Sequence, residues 1–164
     1  MVNREEDWAV VTGASSGIGR EFATIFADNN IPVLLAGRDK NALEEVAHSL
    51  RAKGVKTIIF CGDLSEEKTA KELYKLAKDK QMSVEYLVNN AGFGDYGLFM
   101  DGDWEKYQKM IGLNIASLTY LTKVFGQDMK KQRHGKILNV ASTAAYLPGP
   151  LMAVYYATKA YVLR

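Results

Sequence analysis

Tyr155 and Lys159 stand four residues apart in a stretch from about Ala153 that reads as a helix, so they share one helix face. An ammonium close to a phenol favours the phenolate, and a phenol tuned in this way can exchange a proton with a carbonyl or alcohol oxygen. Tyr155 is therefore a candidate general acid or base. A Tyr/Lys pair at this spacing is also common on ordinary helices. Tyr156 is adjacent but out of register, since only Tyr155 lies four before Lys159.

A second group with chemical meaning is Thr12-Gly13-Ala14-Ser15-Ser16-Gly17-Ile18-Gly19, which follows a predicted strand and opens a predicted helix. Glycines at Gly13, Gly17 and Gly19 allow a tight turn and close approach of a pyrophosphate, while the helix start offers free N–H groups and a positive dipole end. Ser15, Ser16 and Ile18 complete that cradle. Its spacing is G-x-x-x-G-x-G rather than G-x-G-x-x-G, and no Gly-Lys-Ser/Thr follows as in a P-loop. The same turn could also be a packing device.

The second strand ends Ala36-Gly37-Arg38-Asp39. An acid there would accept from a ribose 2′-hydroxyl and suit NAD, whereas an arginine suits a 2′-phosphate. Gly37 occupies the acid's place and Arg38 follows, so NADP is favoured over NAD. The plainer alternative makes Arg38 a solvated loop charge and Asp39 a helix cap.

Five short apolar runs are candidate strands: Trp8–Thr12, Val33–Ala36, Thr57–Phe60, Tyr86–Asn89 and Lys136–Ala141. Helical patterns lie between them. The first runs from the glycine turn toward Asn29. The second covers Asn41–Lys53, with Leu43, Val46, Ala47 and Leu50 on one face and Gly54 as its stop. A third starts at Ser65, read as its N-cap, and ends near Lys80; a long one spans about Asp103 to Arg133, with Gly135 beyond it. Alternating strands and helices imply an α/β fold: a Rossmann-like, doubly wound parallel sheet in three α/β/α layers. No linker or low-complexity tract divides it, so residues 1–164 are expected to form one dinucleotide-binding domain carrying the catalytic residues.

Taken together, these residues resemble the short-chain dehydrogenase/reductase superfamily, in its shorter branch. Five features fall in order: the Thr12–Gly19 turn, Gly62-Asp63-Leu64, Asn89-Asn90-Ala91-Gly92, Asn114 in the long helix, and Ser142 followed by Tyr155-x-x-x-Lys159. Gly17 separates the chain from the longer epimerase-like branch, whose glycine would fall on Ser16. The resemblance implies that Asp63 bonds the adenine amino group, flanked by the Leu64 backbone. Asn90, Ala91 and Gly92 would line the adenosine ribose and steady the central strand. Lys159 would hold the nicotinamide ribose as well as tune Tyr155, and Asn114 would fix a water linking Lys159 to solvent. Ser142, just past the fifth strand, can donate to the substrate oxygen at the sheet edge where ligands of open α/β sheets sit. Hydride itself comes from the cofactor.

The rest of the chain narrows the function by exclusion. A net charge of +2 does not suggest nucleic acid or an anionic membrane as partner. Lys130, Lys131 and Arg133 read as a solvated helix end. The lone Cys61 permits no internal disulfide and reads as a buried thiol in a cytoplasmic protein. No zinc-type Cys/His spacing makes a case for a metal, and His48 and His134 read as solvated. Val2 to Asp7 carries no apolar leader, and no apolar run approaches a membrane span.

The expected partner is a small carbonyl/secondary alcohol substrate, apolar if Tyr146–Met152 forms one wall of its site. Phe93–Met100 reads equally as pocket, core or subunit contact. A homo-oligomer through the Asp103–Arg133 helix is possible. The family pattern continues past Arg164 with two further strands and a lid, so the chain is expected to be a C-terminally truncated member lacking the last strands, its fifth strand left as an edge. Three functions compete: an NADP-dependent oxidoreductase, a dinucleotide-binding fragment without turnover, and a regulatory protein that keeps only the fold. The intact Asn114, Ser142, Tyr155 and Lys159 set argues against the third.

Overall fold

Hydrophobic alternation sets the architecture. In the computed structural model, Val10, Leu34, Ala36 and Leu87 point to one side of the sheet, while Val11, Val33, Leu35 and Val88 point to the other. Strands buried on both faces must be covered by helices on both, which is the condition for a parallel sheet. The structure describes residues 7–164, and the charged opening Val2–Glu6 lies outside the described residues.

Five strands, β1 (Asp7–Thr12), β2 (Val33–Gly37), β3 (Thr57–Cys61), β4 (Ser83–Asn89) and β5 (Lys136–Asn139), pair in parallel in the order β3-β2-β1-β4-β5. The helices are α1 (Gly17–Asp28), α2 (Lys40–Ala52), α3 (Glu67–Asp79), α4 (Trp104–Ile111), α5 (Leu118–Gln132) and α6 (Ala153–Leu163). Ala23 and Ala27 of α1 and Leu43, Val46, Ala47 and Leu50 of α2 cover one face; α3 and α5, through Leu73, Leu121 and Phe125, cover the other. The chain therefore has the Rossmann-like α/β fold expected of it. No helix among the described residues is long and apolar enough to cross a membrane.

Three details depart from the sequence expectations, each for a physical reason. Cys61 is exposed, because β3 is an edge strand and the residue ends it; its thiol donates to the Arg38 carbonyl at 3.3 Å. Ser65 does not cap α3. Its backbone N–H is taken by the Asp63 carboxylate at 3.0 Å, and Glu66 becomes the residue at the helix boundary. His134 is exposed, as expected, and its Nε2 lies 3.3 Å from Asp7 Oδ1.

The third departure bears on the site. The helix from Asp103 to Arg133 is not uniform, since residues Gly112–Ser117 between α4 and α5 form a π-helical turn. There the backbone passes so close to the loop before α3 that a Cβ on Gly112 would lie 2.5 Å from the Ser65 carbonyl oxygen. A π turn inside a helix re-aims the side chains it carries and is frequent at functional sites. Here it carries Asn114.

Candidate active site

Every loop at the C-terminal edge of the sheet opens onto one cleft of about 610 Å³. It lies over β1 and β4, where the chain stops adding strands on one side and begins on the other, the place where open α/β sheets bind ligands.

The glycine turn forms its floor at one end. Gly13 has φ +67° and Gly17 φ +53°, conformations that side-chain-bearing residues rarely adopt. Asn90 Nδ2 supports the turn from beneath, donating to the Thr12 carbonyl at 3.0 Å and the Gly13 carbonyl at 3.3 Å. The Thr12 hydroxyl oxygen accepts the N–H groups of Asn90 and Ala91, both at 3.0 Å, and its proton goes to the Val88 carbonyl at 3.3 Å. Thr12 thus stitches the ends of β1 and β4 together.

Gly13, Ser15, Ser16 and Ile18 line the cleft. Gly17 and Gly19 do not; the first shapes the turn, and the second presses against it. Ser16 stands at the boundary of α1 without a side-chain cap bond. That leaves the start of α1 able to receive an anion.

Toward the far end, Arg38 is exposed at the cleft, and Asp39 caps α2 by accepting the Ala42 N–H at 3.0 Å. Asp39 is thus the helix cap that the plainer alternative expects. Asp63 and Leu64 line the same cleft as Arg38. Burial raises the Asp63 pKa, but the Ser65 hydrogen bonds and the Arg38 and Lys109 charges outweigh it, so the carboxyl sits below its ordinary value. Asp63 is a firm acceptor, suited to an amino group such as that of adenine.

At the other end Ala91, Gly92, Ser142, Tyr155 and Lys159 converge. Lys159 is only 6% exposed and donates to the Val140 carbonyl at 2.8 Å, while its Nζ lies 6.0 Å from the centre of the Tyr155 ring. Burial lowers its pKa. Two of its three donors remain for a ligand. Ser142 Oγ accepts the Ala144 N–H at 3.1 Å, which leaves the hydroxyl proton to be donated into the cleft. Tyr155 lines the cleft and Tyr156 does not; the Tyr156 ring lies against Gly149, where a Cβ would come within 2.4 Å of it.

Asn114 is 1% exposed beneath this group rather than in its wall. Its Nδ2 donates to the Phe93 carbonyl at 2.9 Å and to Thr158 Oγ1 at 3.0 Å, and its Oδ1 accepts the Phe93 N–H at 3.2 Å. Both amide protons thus go to protein partners, leaving Oδ1 as its side-chain group with spare capacity toward water.

Two residues here were not singled out from sequence. Gly94 lets the Tyr155 ring pack against the loop after β4, since a Cβ there would lie 3.0 Å from ring atoms. Thr158 binds Asn114 and also donates to the Tyr155 carbonyl at 2.7 Å. The only sequence signal for Thr158 was its place beside Lys159. The loop Tyr146–Met152 does not form a cleft wall as expected: none of these residues lines it, and Tyr146 and Leu147 are exposed. The Gly97 N–H holds the Leu151 carbonyl at 2.8 Å, so this loop lies along the segment after β4 instead. Of that segment Phe93 lines the cleft, while Tyr96, Leu98, Phe99 and Met100 are exposed.

The cleft suits a dinucleotide along its length. One end of the cleft offers a cation and a firm carboxylate acceptor, the middle an anion-binding helix start, and the other end lysine and hydroxyl donors. Those are, in order, groups suited to an adenosine, a pyrophosphate and a ribose with its reacting ring.

Comparison with known proteins agrees. The sequence model of a family described as short chain dehydrogenase matches residues 7–164. An uncharacterized oxidoreductase of Staphylococcus saprophyticus is 34% identical over 165 residues, covering 99% of this chain and 70% of the relative. Among solved structures, the bulky-bulky ketone specific alcohol dehydrogenase of Comamonas testosteroni superposes with a TM-score of 0.90 at 31% identity, covering 96% of this chain and 63% of that one. A short-chain dehydrogenase from Sphingobium yanoikuyae, solved in complex with NADPH, gives 0.89 at 33% identity, with 96% and 61% covered. The chain thus spans less than two thirds of the length of these two solved proteins.

Proposed function

The chain belongs to the short-chain dehydrogenase family, and from that premise we propose that it is an NADP-dependent oxidoreductase interconverting a carbonyl and a secondary alcohol. The observation that carries the proposal is the single cleft in which Arg38 and Asp63 at one end, and Ser142, Tyr155 and Lys159 at the other, flank the glycine turn.

The proposed division of labour follows from donors and acceptors. Arg38 pairs with a 2′-phosphate as a bidentate ion pair, which the neutral NAD ribose hydroxyl would not provide. The first amides of α1, with Ser15 and Ser16, bind the pyrophosphate, and Asp63 accepts from the adenine amino group. Lys159 holds the nicotinamide ribose with the donors left over from Val140. The cofactor, when bound, supplies or accepts hydride at the substrate carbon.

Ser142 donates its free hydroxyl proton in a hydrogen bond to the substrate oxygen and orients it. In reduction Tyr155 then transfers its phenolic proton to that oxygen as negative charge develops; in oxidation it takes the alcohol proton. The Lys159 ammonium beside it stabilises the phenolate left behind. Phe93, Leu113 and Val140 in the cleft wall favour a substrate with apolar flanks, in keeping with the bulky ketones named for the Comamonas testosteroni enzyme.

Titration of the chain with NADPH and with NADH, followed by cofactor fluorescence, tests the binding half. A panel of ketones with NADPH, followed by loss of its absorbance, tests the chemical half. Tight NADPH binding and ketone-dependent oxidation are expected. Binding of neither dinucleotide refutes the proposal.

A further inference from the structure

Thr158 lies on α6 between the two residues assigned to proton transfer, three after Tyr155 and one before Lys159, and is 1% exposed. A hydroxyl so buried must satisfy its donor and acceptor within the protein. Its proton goes to the Tyr155 carbonyl at 2.7 Å, and its oxygen accepts from Asn114 Nδ2 at 3.0 Å. Asn114 in turn clasps the backbone of Phe93 through both of its side-chain ends. That clasp fixes the amide's orientation, because only Oδ1 can accept the Phe93 N–H. The second amide proton then points to Thr158, and the bonds run one way: Asn114 to Thr158 to Tyr155.

Three segments of the cleft meet at this chain of bonds. One is the loop after β4, whose Gly92 lies against both Asn114 Oδ1 and Lys159 Nζ and whose Gly94 lies against the Tyr155 ring. The others are the π turn and the start of α6. Asn114 fastens the loop to the π turn, and Thr158 fastens both to the helix that carries Tyr155 and Lys159.

We infer that Thr158 is a positioning residue for proton transfer, a role that rests on the oxidoreductase function proposed above. It holds the first turns of α6 at the distance from the β4 loop at which the Tyr155 phenol and the Lys159 ammonium face the same point of the cleft. Its own hydroxyl is buried and fully engaged, and Thr158 does not line the cleft. Valine has threonine's shape without the hydroxyl, so Thr158→Val would leave one Asn114 proton unpartnered and free α6 to shift. Serine would keep the bonds.

Wild type, Thr158→Val and Thr158→Ser are compared for kcat, KM for a ketone and Kd for NADPH, with thermal melting as a control. The valine variant is expected to lower kcat about ten- to a hundredfold, the cost of a small misplacement of reacting groups, with NADPH affinity nearly unchanged. Serine is expected to restore kcat to near the wild-type value. An unchanged kcat in Thr158→Val, whatever its melting temperature, overturns the inference, as does a serine variant as slow as valine. If the valine variant does not fold, Thr158→Cys, with only a weak S–H donor, is expected to show a reduced kcat, and an unchanged one there also overturns it. A wild-type chain that binds NADPH but turns over no substrate refutes the functional proposal itself and takes this inference with it.

Discussion

Gly19 lies directly against the carbonyl of Gly13: a Cβ on Gly19 would come within 2.2 Å of that oxygen and 2.6 Å of Asn90 Nδ2. The first turn of α1 is thus seated on the turn that precedes it, with Asn90 wedged beneath both. Gly19→Ala must displace backbone rather than a flexible side chain. The expected loss is at the upper end of the about 1–3 kcal/mol typical of overpacking, together with loss of NADPH binding. Gly17→Ala meets no atom within 4 Å and suffers only its left-handed backbone, about 1–2 kcal/mol. Urea unfolding of the two variants side by side checks the order, and equal destabilisation would contradict it.

Arg38 is expected to set cofactor choice. Removing a hydrogen bond to a charged group costs about 1.5–3 kcal/mol, so Arg38→Ala should weaken NADPH about ten- to a hundredfold while leaving NADH nearly unaffected. The ratio of the two dissociation constants is the quantity to measure. A ratio that does not move with this substitution refutes the 2′-phosphate assignment.

How far the sequence disclosed these features depended on whether the cause was local. The five strands were legible because residues such as Val33, Leu34 and Leu35 are buried on both faces, which requires a continuous apolar run. The order of the loops along the chain revealed the cleft, since the glycine turn, Arg38, Asp63, Asn90 and Ser142 each follow a strand. Cys61 was misjudged because an apolar run does not say which strand is at the edge. Ser65 looked like a cap until the Asp63 carboxylate, two residues earlier, took its N–H. Thr158 and Gly94 were invisible for a different reason: their partners, Asn114 and Tyr155, come from segments 44 and 61 residues away, brought together by a π turn that leaves no mark in hydrophobic periodicity.

The pairing of α3 with α5 should show itself at alkaline pH. Tyr74 donates to Asp128 Oδ2 at 2.8 Å, and Lys78 approaches the same oxygen at 3.0 Å. Burial, with the hydrogen bond and charge of Asp128, pushes the Tyr74 phenol up to about 12. A group whose pKa is higher in the folded than in the unfolded chain contributes stability that is complete below the unfolded value and lost as pH rises through the folded one. For Tyr74 that window runs from about 10, the ordinary tyrosine value, to about 12. Wild type should therefore lose more stability across it than Tyr74→Phe, measured by urea unfolding at each pH. Parallel curves would refute the coupling.

The two adjacent tyrosines offer the sharpest test of the chemistry, because they differ in placement and not in type. Tyr155 lines the cleft with Lys159 near its ring, whereas Tyr156 packs against Gly149 outside it. Tyr155→Phe removes one oxygen from a ring that keeps its packing against Gly94, so NADPH affinity and folding should persist. Turnover should fall about a hundred- to ten-thousandfold, the range for loss of a general acid or base. Tyr156→Phe should leave turnover near wild type. Steady-state assays with a ketone and NADPH, paired with fluorescence titration of each variant, separate the two effects. A Tyr156 variant as inactive as the Tyr155 variant would mean that the helix face, and with it the assignment of the proton donor, is wrong.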